Sequence, residues 1–190
     1  MNSASGLSLD LVCALRRLQL LPSRYILTVR IAAQKMLLFE KAHTNQPGCG
    51  LFPRFVRRKE FTISTSAYGI GQVRDSNQTP LGLHRVARKV GAGQPIGTVF
   101  RSREAVGLTW NGHPNGSIVH RIFWLDGLEA GLNRGGNVDT FSRYIYIHGF
   151  GDELTLGRPA SQGCVHVAAR DLIPLFERIP TGTLVWIGER

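Results

Sequence analysis

Between Arg158 and Val167 the chain reads RPASQGCVHV, and the fold and chemistry of the protein turn on how Cys164 within it is read. The cysteine follows Gly163, has Ser161 three residues before it and has His166 two residues after it. Upstream, SRYIYIHGF carries a second histidine, His148, at the end of an alternating run and sixteen positions before the cysteine. Alternating aromatic and β-branched residues mark a half-buried strand. His148 is therefore predicted at a strand end, just before Gly149, where its ring emerges from the sheet. Gly163 allows the backbone to turn sharply and leaves its own amide and that of Cys164 unobstructed.

Those residue types suit nucleophilic catalysis. A free thiol, with a pKa of ~8.5, is only a few per cent ionised at neutral pH, and a neighbouring imidazole generates or stabilises the thiolate. The amides of Gly163 and Cys164 are candidate donors to an oxyanion developing on a substrate carbonyl, and the Ser161 hydroxyl is a candidate tie across the loop. Cys164 is expected to alkylate faster than the other cysteines. For an arbitrary cysteine and histidine the plainer reading is a small core residue and a satisfied strand-end ring. The neighbouring residues are what tell against it here.

The rest of the chain reads as mainly β with one or two helices. YILTVRI and KMLLFEK are predicted strands around a turn at Ala32–Gln34, followed by a loop over Asn45–Pro53 and a strand in EFTISTS. In SNQTPLGLHRV, Pro80 and Gly82 punctuate the start of a new strand, and GAGQPIGTVF repeats the turn-then-strand pattern. SIVHRIFWLDG is a strand, GLNRGGNVD a loop and GTLVWIGE the closing strand. In ARDLIPLFERI, Leu172, Leu175, Phe176 and Ile179 fall at helical spacing, with Pro174 expected in the first turn, where no amide bond is lost. Near the start, Leu7, Leu11, Leu15 and Leu18 share a helical face. Residues 1–24 are read as an amphipathic helix ended by Pro22 and packed on a domain over 25–190. Trp110, Trp124 and Trp186 are assigned to core or pocket wall.

Composition bounds the partners. At 190 residues the chain is read as one domain with a substantial core. A net charge of +10 favours polyanions: nucleic acid, anionic lipid or a carboxylate-rich polymer such as a cell wall. The basic clusters RFVRRK and HRVARK lack the aromatic interleaving of a single-strand binder, and they are read as solvated surface. The three cysteines, Cys13, Cys49 and Cys164, leave at least one thiol free, and their spacing is too wide for structural zinc. No apolar run reaches the ~20 residues of a membrane-spanning helix. The first residues do not read as a signal peptide, because Asp10 precedes the short apolar run and Arg16 and Arg17 follow it.

YIYIHGF followed by SQGCVHV resembles the signature of the L,D-transpeptidase catalytic domain family, the YkuD-like domain: His-Gly, a loop, then Ser/Thr-x-Gly-Cys. The resemblance runs from about Tyr25 to Ile187 and takes in the opening hairpin, the strand FTISTSAYGIGQ, the Thr-Pro-x-Gly turn in NQTPLGLHRV, the central region and the closing helix and strand. It implies a β-sandwich-like catalytic fold acting on peptidoglycan stem peptides. By resemblance, Cys164 attacks the carbonyl at the L-centre of the third stem residue and expels D-alanine. The thioester is then resolved by an amine, giving a cross-link, or by water, giving an L,D-carboxypeptidase. His148 is the implied base, oriented by a backbone carbonyl for which Gly149 is the candidate. No cofactor is implied, and the expected setting is the periplasm or cell envelope, as a monomer.

Two positions depart from the family pattern. His166 stands where Arg or Asn is usual and is expected to donate to substrate or to the active-site loop, with a charge that depends on pH near neutrality. Phe150 replaces a frequent threonine after His-Gly. His113, His120, His148, Cys164 and His166 admit a zinc reading, but nothing fixes their spacing, and His113 is expected in an exposed turn. Two other classes compete with the enzyme: a non-catalytic peptidoglycan-binding domain that keeps the fold, and a nucleic-acid binder motivated by charge alone.

Overall fold

A computed structural model describes residues 6–42, 52–111, 113 and 115–190. Cys49 and the expected loop before Phe52 lie outside the described residues, as do Gly112 and Pro114 of the expected turn around His113. The described chain is mainly β with two helices: α1 (Leu9–Arg17) and α2 (Ala169–Arg178). The strands are β1 (Tyr25–Arg30), β2 (Lys35–Lys41), β3 (Phe55–Ser64), β4 (Gly82–Val90), β5 (Thr98–Arg101), β6 (Glu104–Leu108), β7 (Val119–Gly127), β8 (Tyr146–Gly149), β9 (Val165–Val167) and β10 (Leu184–Gly188).

Neighbouring strands run in the order β4-β10-β1-β2-β3-β9-β8-β7-β5-β6, and β4 also pairs with β7. That extra pairing closes the first eight strands of the order on themselves and leaves β5–β6 as a hairpin branching from β7. Tyr25, Leu27, Val29, Met36, Leu38, Phe61, Ile63, Val86, Phe123, Leu125, Ile147, Val165, Val185 and Ile187 all point into the enclosed core. Helix α2 adds Leu172, Leu175 and Phe176 to it.

Helix α1 covers the opposite face of β1. Ile26, Leu37, Phe39, Leu83 and Leu184 pack with Leu7, Leu11, Val12 and Leu15 in a second cluster. β1 is thus buried on both faces, which is why YILTV is apolar but for Thr28 and does not alternate. Each fully buried leucine of this helix is worth roughly 1.5–3 kcal/mol of transfer free energy. Ser8 caps the helix by accepting from Leu11 N, with Asp10 in the first turn and Arg16 and Arg17 in the last. The charge order that argues against a signal peptide is therefore the order that complements a helix dipole. The helix stops before Pro22: Gln19 takes a left-handed conformation (φ 53°), Leu20 N donates to Leu15 O and Gln19 N to Arg16 O. Arg17 pairs with the buried Glu129, whose carboxylate also accepts from Leu83 N, tying helix to sheet.

Several expectations need correction. Pro174 lies inside α2, a full turn beyond Ala169. Its missing N–H leaves the Arg170 carbonyl without a helical partner, at an exposed position where water can serve. The apolar face is buried, and Lys89 Nζ donates to the terminal carbonyls of Phe176 and Ile179, so the helix persists. β3 begins at Phe55, so RFVRRK after Arg54 is strand, with Phe55 buried and residues 56–59 exposed, and there Arg58 pairs with Glu40 and Lys59 with Asp171. β6 and β9 were not foreseen. β6 is exposed and β9 is three residues long, so neither carries a periodic signal of its own. Trp110 is 66% exposed, neither core nor wall, and His113 is half-buried with its ring against Gly107.

Candidate functional site

β9 pairs parallel to β8, with Ile147 opposite Val165 and His148 opposite His166. Because strand side chains alternate, His148 and His166 share one face, while Ile147 and Val165 enter the core. Cys164 precedes β9 and falls beside Tyr146 on the face of His148. There it packs at the edge of a third cluster of Phe100, Ile122, Trp124 and Tyr146. Sixteen residues of sequence thus collapse to neighbouring positions on one sheet face.

The Cys164 thiol donates toward Tyr144 O (3.6 Å) and its sulfur accepts from Tyr146 N (3.4 Å). His148 is buried, with Nδ1 2.7 Å from Gly149 O. A carbonyl only accepts, so Nδ1 carries the proton, and in the neutral ring Nε2 keeps the lone pair of a base. Among the described residues no hydrogen bond joins His148 to Cys164. Burial pushes the thiol up to about 11 and depresses His148 to about 4. The resting pair is therefore neutral. Burial works against the expected ready alkylation of Cys164, which is half-buried where Cys13 is exposed.

The loop before Cys164 is held by its own residues and by a remote one. Ser161 Oγ donates to Cys164 O (2.6 Å) and accepts from Gly163 N (3.2 Å). The Gly163 amide is thus engaged by Ser161 and not free for an oxyanion, a correction to the expected pair of donors. The Cys164 amide meets no acceptor among the described residues. Gly163 sits at φ 111°, and a Cβ there would meet Gln78 O at 3.2 Å. Gly149 is required by space: a Cβ would meet His120 Cδ2 at 2.5 Å and Val119 O at 2.6 Å. Thr79, fully buried, donates to Gly163 O (3.1 Å) and accepts from Ser66 N (3.0 Å). Its role as a clasp on the loop was not foreseen, although the Thr-Pro-x-Gly turn that contains it was.

His166 is 5% exposed, stacked on Phe150 at 4.4 Å and 4.8 Å from the His148 ring, and its Nδ1 has no hydrogen-bond partner. Burial, reinforced by His148, depresses it to about 3. It is neutral near pH 7, which corrects the expectation of a charge that switches near neutrality. Phe150 provides the stacking surface. His120 occupies a left-handed conformation (φ 71°) and accepts from Gly97 N at 2.8 Å through Nδ1. Among the described residues no three His, Cys, Asp or Glu side chains are grouped to hold a metal ion.

An aromatic wall borders the thiol: Trp124 stacks on Phe141 (4.1 Å) and meets Tyr146 edge-on (5.6 Å). Arg103, at the tip of the β5–β6 hairpin, lies over Trp124 (5.0 Å) and Tyr144 (5.1 Å). Cation–π contact places positive charge on this wall. Nothing in the sequence separates Arg103 from the general basic surplus.

Three buried imidazoles make a pH prediction. His84, bonded through Nδ1 to Gly82 O and through Nε2 to Thr140 Oγ1, is depressed from 6.5 to about 4 by burial. With His148 and His166 it takes up protons below pH 6.5 when unfolded but not until about pH 4 or 3 when folded. The stability tied to the neutral rings is complete above 6.5 and is lost as pH falls through the folded values. The slope approaches ~4 kcal/mol per pH unit where all three rings are charged in the unfolded chain and neutral in the folded one. Urea denaturation should show a steep fall between pH 7 and 5; a flat profile would mean that these rings stay hydrated in the folded protein.

A family profile, the YkuD L,D-transpeptidase catalytic domain, matches residues 24–187. No curated protein sequence matches significantly. Among solved structures, Bd1075 of Bdellovibrio bacteriovorus aligns with a TM-score of 0.54 and 17% identity, over 88% of this chain and 49% of that one. The helical cell shape determining protein Pgp2 (K307A mutant) of Campylobacter jejuni gives 0.52 and 15%, over 89% and 48%. An L,D-transpeptidase from Mycobacterium smegmatis gives 0.49 and 12%, over 87% and 58%. At these identities the structural likeness speaks to fold, and the chain spans about half the length of the first two structures.

Proposed function

The chain belongs to the L,D-transpeptidase catalytic domain family, and on that premise we propose that it is a cysteine acyltransferase acting on peptidoglycan stem peptides outside the cytoplasmic membrane. The observation that carries the proposal is the shared face of Cys164 and His148, with the His148 tautomer set by Gly149 O so that Nε2 is the free base. We take residues 25–190 as the catalytic unit and 1–24 as an N-terminal extension, of which the described part packs on that unit through α1.

In this reading His148 Nε2 takes the Cys164 proton as sulfur attacks the carbonyl of the third stem residue. The Cys164 amide donates to the oxyanion. Collapse breaks the peptide bond, and the D-alanine amine leaves with the proton held by His148. A thioester remains. An acceptor amine, or water, then attacks it while His148 removes a proton, and the thiol is regenerated as the proton returns to sulfur. Ser161 and Thr79 hold the loop, and His166 supports the His148 ring from the neighbouring strand.

Incubation of the protein with purified tetrapeptide muropeptides, followed by mass spectrometry, tests the proposal. Loss of D-alanine with a thioester adduct on the protein is expected, along with dimers or shortened stems. Retention of muropeptides with neither adduct nor D-alanine release would favour the binding-domain reading, for which His166 in place of the usual Arg or Asn is the motive.

A further inference from the structure

A cavity of about 350 Å³ is lined by Arg74, Asp75, Asn77, Arg143, Tyr144 and Gln162 among others. Two of its lining residues reach toward the nucleophile: Tyr144 supplies the carbonyl 3.6 Å from the Cys164 sulfur, and Gln162 lies two residues before Cys164. We propose that this cavity is a carboxylate-binding subsite in which Arg143 receives the terminal carboxylate of the residue that Cys164 expels.

Arg143 is half-buried and bonds only to neutral oxygens: Gln78 O at 2.7 Å, Gly71 O at 3.3 Å and Ser76 Oγ at 3.4 Å. Those three bonds leave two of the guanidinium's five N–H donors available. Among the described residues Arg143 makes no salt bridge. Burial lowers the Arg143 pKa, the mark of a poorly solvated charge, and Asp75 acts on the guanidinium only through the field. Arg74 contributes a second guanidinium, bonded to Ser142 Oγ at 2.9 Å. Two cations against one carboxylate leave the cavity positive.

Backbone strain gathers on the same walls. Asp75 (φ 63°), Asn77 (φ 57°) and Tyr144 (φ 58°) are all left-handed. Asp and Asn tolerate this conformation through short polar side chains, but a bulky tyrosine does not, and such outliers concentrate at ligand sites. The strain at Tyr144 aims its carbonyl at the thiol while its neighbour Arg143 faces the cavity.

The chemistry follows from the proposed function, on which this inference rests. A chain-terminal leaving residue carries its carboxylate one Cα away from the scissile nitrogen. A guanidinium in the cavity that Tyr144 shares with the nucleophile therefore reads whether the scissile bond is the last in the stem, selecting donors that end immediately after it.

The test uses two synthetic donor tetrapeptides identical except for a C-terminal carboxylate or carboxamide, with acylation of Cys164 followed by intact mass. Removing a charge-assisted hydrogen bond costs ~1.5–3 kcal/mol, or roughly 10–100-fold in rate. The wild type should prefer the carboxylate donor by about that factor, a readout that needs no variant. Arg143→Gln should bring the ratio close to one, and Arg143→Lys should restore part of it. Neutral iodoacetamide measures thiol reactivity alone and separates any effect of Arg143 on the thiolate. Equal wild-type rates with the two donors, or an unchanged ratio in Arg143→Gln, would overturn the subsite while leaving the enzyme reading intact. Acylation by neither donor would instead sink the enzyme reading.

Discussion

Cys164→Ala is expected to abolish thioester formation and D-alanine release while leaving the fold in place. The side chain is half-buried at the edge of the Trp124–Tyr146 cluster, and its hydrogen bonds are long: 3.4 Å from Tyr146 N and 3.6 Å to Tyr144 O. Alanine keeps the Cβ and removes one sulfur atom, a change that costs on the order of 1 kcal/mol. The loop does not depend on the thiol, because Ser161 and Thr79 bind the backbone carbonyls of Cys164 and Gly163. Thermal unfolding should therefore stay close to wild type while no acyl adduct forms. D-alanine release by the variant at a comparable rate would remove Cys164 as nucleophile.

His148→Asn is expected to slow acylation by roughly 10²–10⁴-fold at pH 7, the usual contribution of a positioned general base. Asparagine is the informative replacement because its side-chain NH₂ can take over the Nδ1 donation to Gly149 O while nothing replaces Nε2. In the wild type the base is depressed to about 4 and the thiol raised to about 11, so acylation should be nearly flat between those values. The wild-type rate should fall only as pH drops toward 4 and His148 becomes charged. The variant lacks a base and must wait for thiolate formed by hydroxide. Its rate should rise about tenfold per pH unit until it levels near the thiol's value. Acylation that is unchanged at pH 7, or that shows no alkaline recovery, would take His148 out of the mechanism.

Much of the architecture was legible because it is written in local pattern. Alternating or wholly apolar runs of β-branched and aromatic residues marked β1, β2, β7, β8 and β10, and leucines at helical spacing marked α1 and α2. His148-Gly149 and Ser161-x-Gly163-Cys164 stood out because glycines are forced there, one by the ring of His120 and one by a left-handed backbone. Short or exposed strands such as β9 and β6 left no such trace, and their existence depends on neighbours contributed by distant segments.

Residue types, strand and helix periods and the family signature were properties of the sequence by itself. It determined that a thiol and an imidazole would be available on a mainly β scaffold. The protonation and pairing of those groups were decided by the tertiary structure. His166 is neutral because Phe150 and His148 close over it, and the Gly163 amide is engaged because Ser161 Oγ reaches it. Arg143 becomes a candidate anion receptor only because its hydrogen bonds reach Gly71, Ser76 and Gln78, some seventy residues away in the chain, and all of those acceptors are uncharged. Desolvation and hydrogen bonding act through space, between groups whose separation in sequence carries no record of their distance in the fold.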